Sequence, residues 1–387
     1  MVYLSELAVP RPVGTDENQK ITARLAEIME SRGLVTQAPA FDCFVWERSE
    51  SWITSEGSRI LIHPSPFSLP FSGTVPVVFA DSHEQLASLD FTGALLCLKG
   101  APAAEPLMPK DFPFYYPDEH KQLIELLERK NPAAVLACTG KHPMSGMSPY
   151  PLFEDGAFTL PSAYAEASAA DALGASAEVR IGSQRIPARS SQLIGTLKGT
   201  GSGKVIVCAH MDTKYDTPGA LDNASGVLMM LHIMGRLSRE PLPVDVDFVP
   251  FNGEEYFAVS GQMTYLKHLG ESVSQVNLVI NIDGCGYRGS KHALSWYNMD
   301  QEIQQMLEQA AELSSVLTSG EQWYEGDHSM FAFQGIPCIA VTSSDLTESV
   351  LELTHTWNDT PDHADPMLIE AGAEELSDLI LEITRSF

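Results

Sequence analysis

Four apolar segments in the C-terminal half of the chain alternate with segments whose apolar residues recur at helical spacing. These segments are KVIVCAH, VDVDFVPF, NLVINID and IPCIAVTS. Parallel strands that are buried on both faces have continuous apolar runs of this kind, and the helices between them cover the sheet. From about residue 191 onward, the alternation therefore predicts an α/β fold with a mostly parallel central sheet and helices on both faces.

Acidic residues and histidines follow these four segments or open the helices between them. In parallel sheets, ligands bind beyond the carboxyl ends of the strands, which meet at one edge. The residues expected at that edge are His210, Asp212, Asp222, Glu254, Glu255, Asp283, Asp327, His328, His355 and Asp359. Imidazole and carboxylate groups are the ligands of zinc and other divalent first-row ions, so their convergence predicts a metal site.

Each of these short motifs has an ordinary structural interpretation when it is taken alone. The pattern His-x-Asp is common, and Asp222 suits the N-cap of the following helix. Asp283 suits a turn before Gly284, and two adjacent glutamates such as Glu254 and Glu255 usually form a solvated surface pair. The joint pattern at one sheet edge, not any single motif, favours the metal site.

The number of candidate ligands indicates two metal ions, because one zinc ion needs only three protein ligands and a water. The candidates are His210, Asp222, Glu255, Asp283 and His355. Two ions need a bridging carboxylate, for which Asp222 is the natural candidate. We expect Asp212 to accept a hydrogen bond and orient a neighbouring imidazole, and Asp359 to act similarly on the loop of His355.

Residues 44–189 have a different texture from the rest of the chain. Short strand-like segments such as RILIHPS and AAVLACTG are broken by Pro and Gly, and helices such as DEHKQLIELLERK are few. We interpret this region as a strand-rich insert between residues 1–43, an N-terminal part of the catalytic domain, and residues 190–387, its main part. Loops of the insert are either a lid over the site or ordinary loops, and both interpretations stay open.

Composition excludes some partners. The net charge of −27 argues against nucleic acid and anionic membrane surfaces, because both require a basic face. We find no signal-peptide pattern and no apolar run long enough to span a membrane. The six cysteines form no CxxC pair, which favours buried free thiols and a cytoplasmic location. A homo-oligomer is possible.

The ordered motifs AHMDT, GALDNASG, NGEE, NID, GDH and HTWNDT carry a family resemblance. In order and spacing they resemble the co-catalytic zinc aminopeptidases of the bacterial leucyl aminopeptidase type. That group includes glutamate carboxypeptidase, transferrin receptor and glutaminyl cyclase. The resemblance covers roughly residue 191 to the C-terminus, together with the N-terminal helix. The insert is similar to the protease-associated or apical domain of the larger members.

The resemblance implies two divalent ions, expected to be zinc, with Asp222 as the bridge. It implies that Glu254 is the general base and that the metal ligands are those selected above: His210, Asp222, Glu255, Asp283 and His355. The chain departs from the pattern at Gly326, where relatives have serine, and at Thr354, where some have tyrosine. A hydrogen bond from that tyrosine must be absent here or supplied elsewhere, for instance by Tyr324. The resemblance also implies that Asp327 and His328 support the metal ligands without binding the metal themselves.

The expected activity is release of N-terminal residues from a peptide or aminoacyl substrate. A glutaminyl cyclase-like acyltransferase shares the fold but uses one zinc, and Asp222-Asn223 favours the two-metal hydrolase. Carboxypeptidase action is a further alternative. A non-enzymatic receptor of the transferrin receptor kind is disfavoured, because all five ligands and the base are present.

Overall fold

The computed structural model describes residues 3–385 and residue 387. The chain forms two compact units. Unit 1 comprises Met1–Cys43, Arg189–Glu255 and Val259–Phe387, and unit 2 comprises Phe44–Ala188 and Tyr256–Ala258. The sequence placed residue 189 in the insert and did not separate residues 256–258 from the catalytic domain.

In the described residues, unit 1 is built on an eight-stranded sheet. Its strands are β1 Val35–Gln37, β2 Ile194–Leu197, β3 Lys204–His210, β4 Asp245–Phe251, β5 Val276–Ile282, β6 His292–Tyr297, β7 Leu317–Ser319 and β8 Cys338–Ser343. Their order in the sheet is β1-β2-β4-β3-β5-β8-β6-β7. The four central strands β4, β3, β5 and β8 are parallel to one another. Antiparallel pairing begins where β2 meets β4 and where β6 meets β8. The predicted fold class is confirmed.

The helices of unit 1 include an N-terminal pair, and the rest lie between or after the strands. They are α1 Leu4–Leu7, α2 Asp16–Ser31, α3 Ser225–Leu237, α4 Ser260–Leu269, α5 Gln301–Leu313, α6 Ser329–Ala332 and α7 Pro366–Thr384. Thr15 caps α2 by accepting a hydrogen bond from the Asn18 backbone N–H. Helix α3 is buried along most of its length, since ten of its residues are buried in the core, which explains its almost wholly apolar sequence.

Unit 2 contains a second sheet, also of eight strands among the residues that the structure describes. In sheet order its strands are Ser58–Leu61, Trp52–Ser55, Ser176–Ile181, Phe71–Ala80, Leu95–Leu98, Ala134–Thr139, Ser162–Glu166 and His63–Pro64. Its helices are His83–Ser88 and Asp118–Lys130, and a separate ribbon pairs Ala40–Arg48 with Ser183–Ser191. Leu95 and Cys97 join one apolar cluster while Leu96 and Leu98 join another, so this sheet is covered on both faces.

Within the described part of the chain, no helix is both long enough and apolar enough to span a membrane.

Candidate metal centre

The ends of three central strands place most of the expected ligands. His210 is the last residue of β3, and Asp283 directly follows β5. Glu254 and Glu255 come three and four residues after Phe251, the end of β4. Because β3, β4 and β5 are parallel neighbours, these side chains emerge at one edge of the sheet.

The segment DNASG positions Asp222 through its neighbour Asn223. The Asn223 side-chain amide donates to the carbonyl of Ile282, at 2.8 Å, and its Oδ1 accepts from the backbone N–H of Gly226, at 3.0 Å. A Cβ on Gly226 would lie 2.1 Å from Asn223 Oδ1 and 2.5 Å from the Ile282 carbonyl oxygen. The start of α3 is therefore fastened directly to the end of β5, beside Asp283.

Two ligand clusters share the carboxylate of Asp222. His210 Nε2 lies 2.9 Å from Asp222 Oδ1 and 3.4 Å from Asp283 Oδ1. His355 Nε2 lies 3.1 Å from Asp222 Oδ2 and 3.6 Å from Glu255 Oε2. In each cluster, the three ligand atoms are all within 4.8 Å of one another. The structure thus brings all five expected ligands together, with each oxygen of Asp222 facing a different histidine.

The residues fit two divalent cations. Each cluster offers an imidazole, a terminal carboxylate and one oxygen of the shared Asp222, which is the donor set that zinc binds. Burial, together with the Asp222 and Glu254 carboxylates, raises the pKa of Glu255 well above its usual range. Glu255 Oε1 is buried and has no hydrogen-bond partner among the described residues. A cation at this position would provide the missing partner and favour the ionised carboxylate.

Hydrogen bonds among the candidate ligands shift the pKa values of this centre. Burial opposes ionisation of Asp222, but hydrogen bonds from His210 and His355 lower the pKa of its carboxyl below the usual range. Burial likewise disfavours the charged form of His210, yet the carboxylates of Asp283 and Asp222 raise its pKa well above the ordinary value. The two histidines and the shared carboxylate therefore form one electrostatic unit.

Asp212 has a different partner from the one expected. Its Oδ1 is 4.0 Å from His210 Nδ1, too far for a hydrogen bond. Oδ1 instead accepts from the backbone N–H groups of Gly253, at 2.8 Å, and Glu254, at 3.2 Å, while Oδ2 accepts from that of Glu255, at 3.1 Å. This buried carboxylate fixes the backbone of the two glutamates rather than an imidazole.

Glu254 is only half-buried, unlike Glu255, and belongs to neither cluster in the described residues. Burial raises the pKa of its carboxyl well above the usual range; nearby His210 opposes this shift, and the Asp327 carboxylate adds to it. Its backbone is held by Asp212 next to the ligand Glu255. A carboxyl of this kind, close to the metal ligands but not among them, is suited to proton transfer.

Asp359 ties the turn that carries Asp222 to the loop that carries His355. Its carboxylate accepts from the backbone N–H of Leu221, at 2.7 Å, and from that of Asp222, at 3.0 Å. Burial raises the pKa of Asp359 to about 6, although these two hydrogen bonds oppose the shift. Among the described residues, the Asp359 carboxylate thus supports the backbone of Asp222, whereas His355 Nδ1 has no hydrogen-bond partner and the expected role toward the His355 loop is not seen.

The remaining candidates from the sequence, Asp327, His328 and Tyr324, each have different hydrogen-bond partners. Asp327 is buried, and its Oδ1 accepts from the Gln262 amide at 2.9 Å. Burial is the main cause that raises the pKa of Asp327 to about 7. His328 Nε2 lies 2.9 Å from the Trp323 carbonyl oxygen. The exposed Tyr324 donates to the Gln322 side chain at 3.3 Å and stacks on Phe333, so its hydroxyl is engaged away from the two clusters.

The sequence did not identify Arg11, which is 1% exposed and contacts the segment between His210 and Asp222. Its guanidinium binds the backbone carbonyls of Met211 and Gly219, on the segment between His210 and Asp222. Arg11 stands between two prolines in VPRPVG, far from any motif and outside any helical or strand periodicity. No local pattern distinguishes such a residue from an exposed arginine.

Comparisons with known proteins agree with this geometry. Residues 192–380 match the model of peptidase family M28. Aminopeptidase YwaD of Bacillus subtilis is 25% identical over 99% of this chain and 83% of its own length. Among solved structures, the aminopeptidase from Aneurinibacillus sp. strain AM-1 has a TM-score of 0.77 at 20% identity, covering 97% of this chain and 91% of that one. The zinc aminopeptidase BSAP from Bacillus subtilis has a TM-score of 0.74 at 21% identity, covering 98% and 93%.

These matches confirm the fold and the enzyme class that the sequence predicted, a metal-dependent peptide hydrolase. They extend over both units of the chain, although the family model itself covers only part of unit 1. The match to peptidase family M28 over residues 192–380 includes all five residues of the two ligand clusters.

Proposed function

We propose that this chain is a two-zinc aminopeptidase that releases residues from the N-terminus of peptides. The observation that carries the proposal is Asp222, whose two carboxylate oxygens face His210 on one side and His355 on the other. A carboxylate shared in this way is typical of a two-metal centre, whereas a single ion would need only one of the clusters. The relatives that cover nearly the whole chain are named aminopeptidases.

His210, Asp283 and one oxygen of Asp222 would hold one ion, and His355, Glu255 and the other oxygen would hold the second. Bound zinc would supply a water of lowered pKa and stabilise negative charge on the substrate carbonyl oxygen. Glu254 would accept the proton of that water during attack and deliver it to the leaving amine. Glu254 belongs to neither ligand cluster, which leaves its carboxylate available to take and return the proton.

A substrate panel tests this proposal. Free and N-blocked aminoacyl amides and short peptides are incubated with chelator-treated protein and with protein restored by Zn²⁺. We expect release of the N-terminal residue from unblocked substrates only, and only with metal. Hydrolysis of N-blocked peptides from the C-terminus would instead indicate a carboxypeptidase, and cyclisation of glutaminyl peptides with one zinc per chain would indicate an acyltransferase.

Three further expectations remain proposals. The six cysteines are free, which supports a reducing, cytoplasmic compartment. The strand-rich unit 2 supports the likeness to a protease-associated domain. A homo-oligomer is tested by light scattering of the purified chain.

A further inference from the structure

The side chain of Arg11 donates to five backbone carbonyls from two parts of the chain. Nη1 donates to Leu7 at 2.8 Å, to Val9 at 3.0 Å and to Pro218 at 2.9 Å. Nη2 donates to Gly219 at 3.1 Å, and Nε donates to Met211. One planar group therefore joins the N-terminal segment to both ends of residues 211–219, the loop that connects His210 to the turn of Asp222.

The backbone of Arg11 is held by the same structure. Its N–H donates to Thr213 Oγ1, at 2.9 Å, and its carbonyl accepts from the Asn18 side-chain amide, at 3.1 Å. Asn18 and Asn252 exchange side-chain hydrogen bonds of 2.9 and 3.1 Å. Because Asn252 directly precedes Gly253 and Glu254, the same buried network reaches the loop after β4 that carries Glu254 and Glu255.

The loop that Arg11 holds is tightly packed at Gly219. Gly219 has a φ of +62°, and a Cβ there would lie 2.4 Å from Thr213 Cγ2 and 2.5 Å from the Asp222 carbonyl oxygen. The guanidinium is also a permanent cation near the carboxylates of Asp212 and Asp222. Burial lowers its pKa to about 10, and these carboxylates oppose the shift, so the group is protonated at neutral pH.

We infer that Arg11 is a positioning residue of the metal centre, which fixes loop 211–219 so that His210 and Asp222 face each other before any metal binds. This inference concerns the pre-organisation of the centre and rests on the proposed two-metal function. Groups that orient metal ligands without touching the metal affect metal affinity, because an ion bound by a loose site must also pay for ordering its ligands.

The guanidinium geometry is necessary for this role, and a positive charge alone is not sufficient. Arginine presents five N–H donors in a rigid planar fork, whereas lysine presents three donors at one point. A lysine at position 11 could reach the carbonyls of the N-terminal segment or those of Met211 and Gly219, but not both sets. The variant R11K therefore keeps the charge and removes the link.

The test measures Zn²⁺ affinity of the metal-free protein by competition with a chromophoric chelator, together with kcat and KM at limiting and saturating Zn²⁺. For R11K we expect about 10-fold weaker Zn²⁺ binding. We expect kcat to recover toward the wild-type value at saturating Zn²⁺, with KM changed little. The milder variant T213V removes only the acceptor of the Arg11 N–H and is expected to shift affinity in the same direction by less.

A matched control separates positioning from general loss of stability. Leu307 is fully buried on α5, which packs on β7 and carries no site residue, so L307A lowers the thermal midpoint by creating a cavity elsewhere in unit 1. We expect L307A to keep wild-type Zn²⁺ affinity. If R11K and T213V also keep wild-type affinity, whatever their thermal midpoints, Arg11 is an ordinary structural residue and the inference is overturned. If the wild-type protein releases no N-terminal residues at any Zn²⁺ level but both variants show the weakened binding, the inference stands while the proposed function fails.

Discussion

Replacing Asp212 by asparagine turns one of the two oxygens that accept hydrogen bonds into an amide nitrogen, although three backbone N–H groups donate to this side chain. The carboxylate accepts from the backbone N–H groups of Gly253, Glu254 and Glu255. An asparagine carbonyl can still accept from the first two, but its amide nitrogen then faces the Glu255 N–H as a second donor. D212N therefore leaves one buried backbone N–H without a partner beside a metal ligand.

The expected cost follows from these contacts. A hydrogen bond to a charged group contributes about 1.5–3 kcal/mol, and an unpaired buried donor costs about 1–3 kcal/mol. We take about 3 kcal/mol as the combined loss, because the two effects overlap in part. For a domain of roughly 200 residues, this corresponds to a fall in the thermal midpoint of roughly 6–12 °C. Because the Glu254–Glu255 backbone also shifts, we expect kcat to fall by about 10–100-fold.

Asp247 provides the matched control. It is a fully buried aspartate of the same unit, and it accepts from Thr196 Oγ1 at 2.7 Å, from the Tyr265 hydroxyl at 2.8 Å and from Lys204. It stands four residues before Phe251 on β4, about 13 Å of strand from the site edge. D247N should lower the thermal midpoint comparably but leave kcat near wild type in the folded protein.

Calorimetry and steady-state kinetics at saturating Zn²⁺, below the melting range of both variants, distinguish the outcomes. The reasoning is refuted if D212N has wild-type kcat, since the three hydrogen bonds would then not align the glutamates. Equal losses of kcat in D212N and D247N would show a general effect of destabilisation instead.

Three further predictions concern the centre itself. E254Q should bind Zn²⁺ nearly as well as wild type while kcat falls by orders of magnitude, whereas E255Q should lose Zn²⁺ affinity. Equilibrium dialysis measures the affinity and steady-state kinetics measures kcat. Equal behaviour of the two variants in both measurements would contradict the prediction. Removal of the metal should lower stability by about 4 kcal/mol for each ion relative to protein at a thousandfold excess of Zn²⁺ over Kd, measured by thermal melts with and without chelator. G226A should disrupt the centre, because its Cβ would lie 2.1 Å from Asn223 Oδ1; a variant with normal metal content and kcat would show that α3 can shift without moving Asp222.

The four central strands could be predicted because they are covered on both faces and hence have uninterrupted apolar sequences. The antiparallel flanking strands could not be predicted in this way. Strand β2 has only four residues, IGTL, and its Gly195 is closely packed, since a Cβ would lie 2.6 Å from Met29 Sδ. Strand β6, HALSWY, mixes polar and apolar residues without strict alternation.

The candidate ligands could be predicted because each follows a recognisable strand or opens a helix. Their supports could not, because these come from residues distant in the chain. Arg11 meets Met211 across 200 positions, and Asn18 meets Asn252 across 234. The hydrogen-bond partners of Asp212 could not be predicted either. The spacing His-x-Asp places Asp212 near an imidazole, but only the fold shows that the backbone N–H groups of the loop after β4 are closer.

The partners of Asp212 also explain how two adjacent glutamates take different roles. The Asp212 carboxylate accepts from the backbone N–H groups of both Glu254 and Glu255. Neither peptide group can therefore rotate when its side chain moves. With the backbone fixed, the Glu255 side chain is 3% exposed and lies 3.6 Å from His355, while Glu254 stays half-buried. Hence the proposed ligand and the proposed base differ in burial although one carboxylate holds both of their backbone N–H groups. A change at Asp212 must therefore affect both, whereas changes at either glutamate can be separated by metal content and turnover.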